Sequence, residues 1–80
     1  MTDRIPQADQ EIDATGLLCP EPLMVVRNAV REMASGEVLH VVATDPSTGR
    51  DFNNFCRFMG HQLLAERREG ERLEYWIRKG

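Results

Sequence analysis

The order of the periodic segments restricts the fold of this chain more than any other feature of its sequence. Short strand-like segments, the first with alternating polar and apolar residues and the second apolar on both faces except for His40, are interleaved with two longer segments of helical period, in which apolar residues recur on one side. The last two segments are strand-like and are joined by a turn at Glu69 and Gly70. The predicted order is β-α-β-α-β-β, and in chain order the segments cover residues 10–15, 20–34, 37–44, 46–59, 61–68 and 72–79.

Two β-α units followed by a hairpin predict a mixed four-stranded sheet. Because crossovers between parallel strands are right-handed, both helices should cover the same face of this sheet, which gives an α+β two-layer sandwich. A chain of 80 residues provides one modest core and no second domain. We therefore expect a single domain over residues 10–80, preceded by a flexible tail at residues 1–9, where no periodicity is present.

The apolar stripes of the two helices predict the core. His40, inside the second strand, and His61, after the second helix, are interpreted as structural or surface residues, because neither forms a visible Cys-His pair. Cys56 falls on the stripe of the second helix and is expected to be buried and inert. The helix residues predicted to be buried are Leu23, Val26, Val30, Met33, Phe52, Phe55, Cys56 and Met59.

Composition and charge narrow the functional classes. A net charge of -3 weighs against tight nucleic-acid binding, which needs a basic surface to displace counterions. No segment approaches about 18 uninterrupted apolar residues, and the first residues lack the pattern of a targeting signal, so a cytoplasmic protein is expected. Cys19 and Cys56 are far apart and form no C-x-x-C motif, which supports neither a disulfide framework nor a metal site.

The segment Cys19-Pro20-Glu21-Pro22 places a thiol at the start of the first helix. Cys19 is predicted to be the N-cap, with Pro20 at the first helical position and Pro22 at the third, so that the thiol is held on a stiff turn. Unpaired N–H groups at a helix N-terminus favour the thiolate, whereas the Glu21 carboxylate opposes it. A buried structural cysteine is the alternative, and the functional interpretation is favoured.

Several further residues are candidates for partner binding. Met24 is out of place on the helix face that carries Arg27 and Arg31, and interfaces are enriched in Met, Arg and aromatic residues. An exposed Met without a role is equally compatible with the sequence, and Phe58, beside the apolar stripe of the second helix, can border the core or face a partner. Asp45 and Arg50 flank the start of the second helix, where a plain N-cap is the favoured interpretation of Asp45.

Three stretches, "DATGLLCPEPLMVVRNAV", "VVATDPSTGRDFNNFCRFMGH" and "YWIRKG", resemble the TusA (SirA-like) family of small sulfur carriers. The resemblance implies a cytoplasmic carrier that takes sulfane sulfur from a cysteine desulfurase as a persulfide on Cys19. It further implies delivery to a downstream relay protein, chiefly for 2-thiolation of the tRNA wobble uridine, without a metal or organic cofactor. The strand order it implies is 1-2-4-3, with only the last strand antiparallel. Leu18 departs from the pattern, because many relatives carry a basic residue there.

Two other classes of function are weighed against sulfur transfer. A regulatory or RNA-associated binding module is possible for a small α/β sandwich, but the acidic composition and the lack of a basic stripe count against it. A thiol redox protein is disfavoured because no resolving cysteine lies near Cys19. The sequence does not distinguish tRNA from molybdenum cofactor metabolism or another pathway as the destination of the sulfur.

Overall fold

The alternation of strands and helices is present in the computed structural model, which describes residues 7–80. The predicted tail at residues 1–9 falls mostly on residues 1–6, which lie outside the described residues. Within residues 7–80, neither helix is long and apolar enough to cross a membrane. The elements are β1 (Gln10–Ala14), α1 (Glu21–Arg31), β2 (Val38–Ala43), α2 (Thr48–Met59), β3 (Gln62–Glu69) and β4 (Arg72–Arg78).

The four strands form one mixed sheet in the order β1-β2-β4-β3. β1 is parallel to β2, and β4 lies antiparallel between β2 and β3. The predicted fold class and strand order are both confirmed. Since each helix returns the chain from the end of one parallel strand to the start of the next, α1 and α2 both begin at the sheet edge where β1 and β2 end. This edge is called the helix-start edge below.

The core lies between the two helices and one face of the sheet. Val26 and Val30 of α1 and Phe52 and Cys56 of α2 are buried against side chains of β2 and β4, as predicted. The Phe52 ring meets the Tyr75 ring edge to face, with the centroids 4.8 Å apart. Burying a side chain of this size contributes about 1.5–3 kcal/mol, so these contacts are the main attachment of the helix layer.

The outer ends of the two helical stripes are less buried than predicted. Leu23 and Phe55 are only partly buried, although both pack against the core. Met59 was predicted to be buried, and that prediction is wrong, because its side chain is 59% exposed. It is the last residue of α2, and Gly60, with a φ of 77°, turns the chain away at this point. The Phe55 ring is instead contacted by His61, at a centroid distance of 5.3 Å.

On the face of the sheet that no helix covers, side chains of β2, β3 and β4 pack against one another. Trp76 stacks on His40, with the ring centroids 4.6 Å apart, and the Arg67 guanidinium lies 5.8 Å from the Trp76 ring centroid. Glu74 is only 3% exposed and accepts hydrogen bonds from Arg67 and His40. Burial acts to raise the pKa of Glu74, but the hydrogen bonds from Arg67 and His40 outweigh it and hold that pKa below its usual value. The structural role predicted for His40 is consistent with these contacts.

Candidate functional site

Cys19 lies in the loop between β1 and α1, and its side chain is exposed. The loop turns at Gly16, whose φ of 81° is readily accessible to glycine, and the Gly16 N–H donates to the Thr44 hydroxyl over 2.9 Å. The Glu21 N–H donates to the Leu18 carbonyl over 2.8 Å, which closes the turn around Cys19. The thiol is therefore presented to solvent at the helix-start edge.

The prediction that Cys19 is the N-cap of α1 is wrong by one residue. The N-cap is Pro20, α1 begins at Glu21, and Pro22 occupies the second helical position rather than the third. The reason lies in the backbone: the Met24 N–H donates to the Pro20 carbonyl over 3.1 Å, so the helical hydrogen bonds start at Pro20. Cys19 is the residue just outside the helix. Pro22 is buried, which fixes the helix start to the core.

Asp45 joins the loop of Cys19 to the loop between β2 and α2. Its Oδ2 accepts the Cys19 backbone N–H over 2.6 Å, and its Oδ1 accepts both the N–H and the hydroxyl of Ser47 over 3.0 Å each. These hydrogen bonds, from the Ser47 N–H and then the Cys19 N–H, lower the pKa of Asp45. Both carboxylate oxygens are thus engaged inside the chain.

The predicted role of Asp45 as the N-cap of α2, with Pro46 as its first residue, is also wrong. α2 begins at Thr48 with Ser47 as the N-cap, because the Asp45 side chain bonds to Ser47 and closes a turn across Pro46 first. The Thr48 hydroxyl donates to the Asp45 carbonyl over 2.8 Å and lies 2.8 Å from the Tyr75 hydroxyl. A continuous series of hydrogen bonds therefore runs from the buried Tyr75 to the backbone of Cys19.

Asp51, in the first turn of α2, is the acid that contacts the sulfur atom. The Cys19 thiol donates to Asp51 Oδ2 over an Sγ to Oδ2 distance of 3.4 Å. Arg50 Nε lies 3.5 Å from the other oxygen, Oδ1. The sequence interpretation missed Asp51. The available signal was topological, because two helices that start at one sheet edge bring their first turns together.

The other predicted partner-binding residues are exposed on the two helices. Met24, Arg27 and Arg31 follow each other at spacings of three and four residues and therefore share one face of α1. Phe58 is 82% exposed. It follows Asp51 by seven residues, so it lies on the same side of α2, about 10 Å further along the helix. The structure brings Asp45 to the backbone of Cys19 and Arg50 to Asp51, the residue beside the thiol, and leaves Phe58 two turns away along α2.

Cys56 differs from Cys19 in its surroundings. It is 4% exposed within the core, and burial raises the pKa of its thiol to about 11. Its predicted burial is confirmed. Cys56 has no route to a partner in this fold.

Comparison with known proteins assigns the family. The model of a family described as sulfurtransferase TusA matches residues 10–79. The chain belongs to the TusA family. It is 56% identical to the sulfur carrier protein TusA of Pseudomonas entomophila and 53% identical to that of Pseudomonas putida, in each case over 99% of this chain and 96% of the relative.

The fold agrees with that of a solved SirA-like protein. The crystal structure of the SirA-like protein from Desulfitobacterium hafniense superposes with a TM-score of 0.79 at 25% identity. The match covers 89% of this chain and 97% of the other. The resemblance to the TusA (SirA-like) family that the sequence indicated is therefore confirmed.

Proposed function

We propose that this TusA-family chain is a sulfur carrier that holds sulfane sulfur as a persulfide on Cys19. The observation that carries the proposal is the contrast between the two thiols. Cys19 is exposed just before α1, and its backbone N–H is held by Asp45, whereas Cys56 is buried. Membership of the TusA family and the names of the two Pseudomonas relatives support it. A sulfurtransferase of this kind needs one accessible thiol and no cofactor.

The charging step is a thiol exchange with a persulfide donor. The Cys19 thiolate attacks the outer sulfur of the donor persulfide, a new S–S bond forms, and the donor cysteine leaves as a thiolate. We propose a cysteine desulfurase as the donor and a downstream relay protein as the acceptor, with both exchanges in the cytoplasm. The other cysteine of the sequence, Cys56, is buried in the core, so it is not available to discharge the sulfur as sulfide.

Intact-mass measurement tests the assignment of Cys19. The protein is incubated with a cysteine desulfurase and cysteine, and we expect a gain of one sulfur atom that maps to Cys19 and disappears on reduction. Cys56→Ala is the matched control and should still gain the sulfur. A Cys19→Ser chain that is still charged, or a label on Cys56, would contradict the proposal.

A single docking surface is proposed for the donor and the acceptor. One thiol must enter both active sites in turn, so the surface around Cys19 has to serve both partners. Its proposed residues lie on the exposed face of α1, in the loop that precedes α2 and on α2 itself: Met24, Arg27, Arg31, Asp45, Arg50 and Phe58.

The proposed destination of the sulfur is the 2-thio group of the tRNA wobble uridine. The acidic chain is expected to reach tRNA through protein partners and not by direct tight binding. Thiolated tRNA is to be measured in a deletion strain complemented with the wild type, Cys19→Ala or Cys56→Ala. We expect thiolation to be lost only with Cys19→Ala. Normal thiolation in the uncomplemented strain would assign the sulfur to another pathway.

A further inference from the structure

Asp51 is placed to act on the sulfur itself rather than on the loop that carries it. Its Oδ2 lies 3.4 Å from Cys19 Sγ, whereas Asp45 reaches only the backbone N–H of Cys19. The Asp51 side chain is 18% exposed, so its charge is partly shielded from water. The carboxylate thus faces the atom at which the sulfur exchange takes place.

The positive charge of Arg50 only partly offsets this carboxylate. Arg50 Nε contacts Asp51 Oδ1 over 3.5 Å, but the Arg50 side chain is 72% exposed, and an ion pair of this kind is strongly screened by water. The oxygen that faces the sulfur, Oδ2, is not the one in contact with Arg50. The Asp51 charge at Oδ2 therefore acts on a sulfur bound to Cys19 together with the nearby Glu21 carboxylate, and the positive N-terminal ends of α1 and α2 oppose them.

The protonation state of a persulfide determines what the carried sulfur can do. The outer sulfur, bonded about 2.05 Å from Sγ, stays within a few ångströms of Asp51. As S–H it can be attacked by the thiolate of an acceptor, whereas as S⁻ it repels that thiolate. A carboxylate alongside disfavours a second negative charge and accepts a hydrogen bond from the S–H form.

We propose that Asp51 is a catalytic residue that keeps the sulfur carried on Cys19 protonated and thereby ready for transfer. The inference rests on the proposed function, in which Cys19 holds a persulfide. In the transfer step the acceptor thiolate attacks the outer sulfur, and a bond forms between these two atoms while the bond to Sγ breaks. The electron pair leaves with Sγ, which is reduced to a thiolate, and the acceptor sulfur is oxidised. The proton stays on the transferred sulfur.

The test measures sulfur transfer to 2-mercaptoethanol as a function of pH. Wild type, Asp51→Asn and Asp51→Ala are charged with inorganic polysulfide, and the loss of the added sulfur is followed by mass spectrometry. The ratio of variant to wild-type rates cancels the ionisation of 2-mercaptoethanol itself. We expect the ratio to be near one in acid and to fall about fivefold or more in alkali, the effect of one charge at about 4 Å under water-like screening.

A matched charge control and a second readout separate this role from a structural one. Glu32→Gln removes the same charge at the opposite end of α1 and should leave the ratio at one throughout. Alkylation of the outer sulfur by iodoacetamide uses the anionic form, so near and below the pH at which the persulfide ionises it should become faster in both Asp51 variants. Damage to the fold would move the two rates in the same direction.

Several outcomes would overturn the role of Asp51. These are a transfer ratio that does not change with pH, or a fall in transfer in alkali without faster alkylation near and below the pH at which the persulfide ionises. Because polysulfide charging needs no desulfurase, a chain that shows the expected profiles but is not charged by the enzyme keeps the role of Asp51 and loses the proposed donor. A wild-type chain that forms no persulfide on Cys19 from either source overturns both proposals.

Discussion

At the scale of single residues, the two cysteines differ in accessibility and surroundings. Cys19 is exposed, whereas Cys56 is 4% exposed, and burial raises the pKa of its thiol to about 11. Since the thiolate is the reactive form, we expect native protein at neutral pH to be alkylated at Cys19 and not at Cys56. Peptide mapping over time measures both alkylation rates, and unfolding in urea should make Cys56 react as well. Equal rates in the native state would contradict the buried position of Cys56.

A second residue-scale prediction concerns the packing of Cys56. Cys56→Ala removes a buried sulfur atom from between α2 and the sheet, and we expect the free energy of unfolding to fall by about 1–2 kcal/mol. Denaturant unfolding gives this value. Since the thiol has no proposed part in transfer, charging of Cys19 should not change. Loss of charging in a folded Cys56→Ala chain would give Cys56 a role that its burial does not explain.

Asp45 allows a third test, because it holds the backbone of Cys19 from a separate loop. Asp45→Ala removes the acceptor of the Cys19 N–H, so we expect faster hydrogen exchange at that amide and slower charging of the thiol. Asp13→Ala is a matched control: Asp13 accepts the N–H and hydroxyl of Thr15 in the same way but does not contact Cys19. Unchanged exchange at Cys19 in Asp45→Ala would remove Asp45 as the support of the loop.

At the scale of elements, the periodicity of the sequence predicted the order of strands and helices correctly but misplaced both helix starts. The periodic pattern of apolar residues that identifies a strand or a helix is spread over many residues, so a residue that breaks it at one position does not change the predicted element. A helix start depends on individual hydrogen bonds. Asp45 bonds to Ser47 and delays α2 to Thr48, and the Pro20 carbonyl, not that of Cys19, accepts the first helical bond of α1.

The site was only partly predictable for the same reason. Cys19 could be proposed from the sequence because its motif is local, with four consecutive residues that predict a helix start to within one position. Asp51 was missed because its contact with Cys19 joins residues 32 positions apart. That contact exists only once both helices are placed at the helix-start edge. Met59 shows the converse: the end of α2 at Gly60 was predicted correctly, but the position of Met59 on the stripe gave no sign that this last residue lies beyond the core.

The uncovered sheet face gives a prediction at the element scale. Glu74→Gln weakens the charge-assisted bonds to Arg67 and His40, and we expect a loss of about 1–3 kcal/mol in the free energy of unfolding at neutral pH. Because folding lowers the pKa of Glu74, its contribution is complete above the ordinary value of about 4.3 and is lost as the pH falls through the folded value. Urea unfolding from neutral to acidic pH should show the wild type and the variant converge. A difference that stays constant in acid would contradict this account.

At the scale of the whole molecule, the proposed function requires one side of the domain to bind two partners. The molecule measures 34 × 29 × 19 Å, and the thiol lies at the helix-start edge beside the exposed faces of both helices. A partner that covers this edge blocks it for the other. We therefore expect the complexes with the donor and with the acceptor to be mutually exclusive in a competition experiment.

Charge reversal on α1 tests this surface. We expect Arg27→Glu to weaken binding of both partners, by about 2 kcal/mol or more when the ion pair is desolvated in the complex. Arg78→Glu makes the same change at the other end of β4, beside the start of β2 and away from the helix-start edge, and should leave both affinities unchanged. Titration calorimetry measures the affinities. Unchanged binding for both Arg27→Glu and Met24→Ala would exclude this face of α1.

The edge strand β3 affects whether copies of the protein associate with one another at high concentration. β3 borders the sheet on one side, carries the charged run Glu66, Arg67, Arg68 and Glu69, and is interrupted by an irregularity between Leu63 and Ala65. Charges and bulges on an edge strand discourage the addition of a further strand from another molecule. For the proposed sulfur carrier, such an edge means that many copies can be present together without the chains adding strand to strand into filaments.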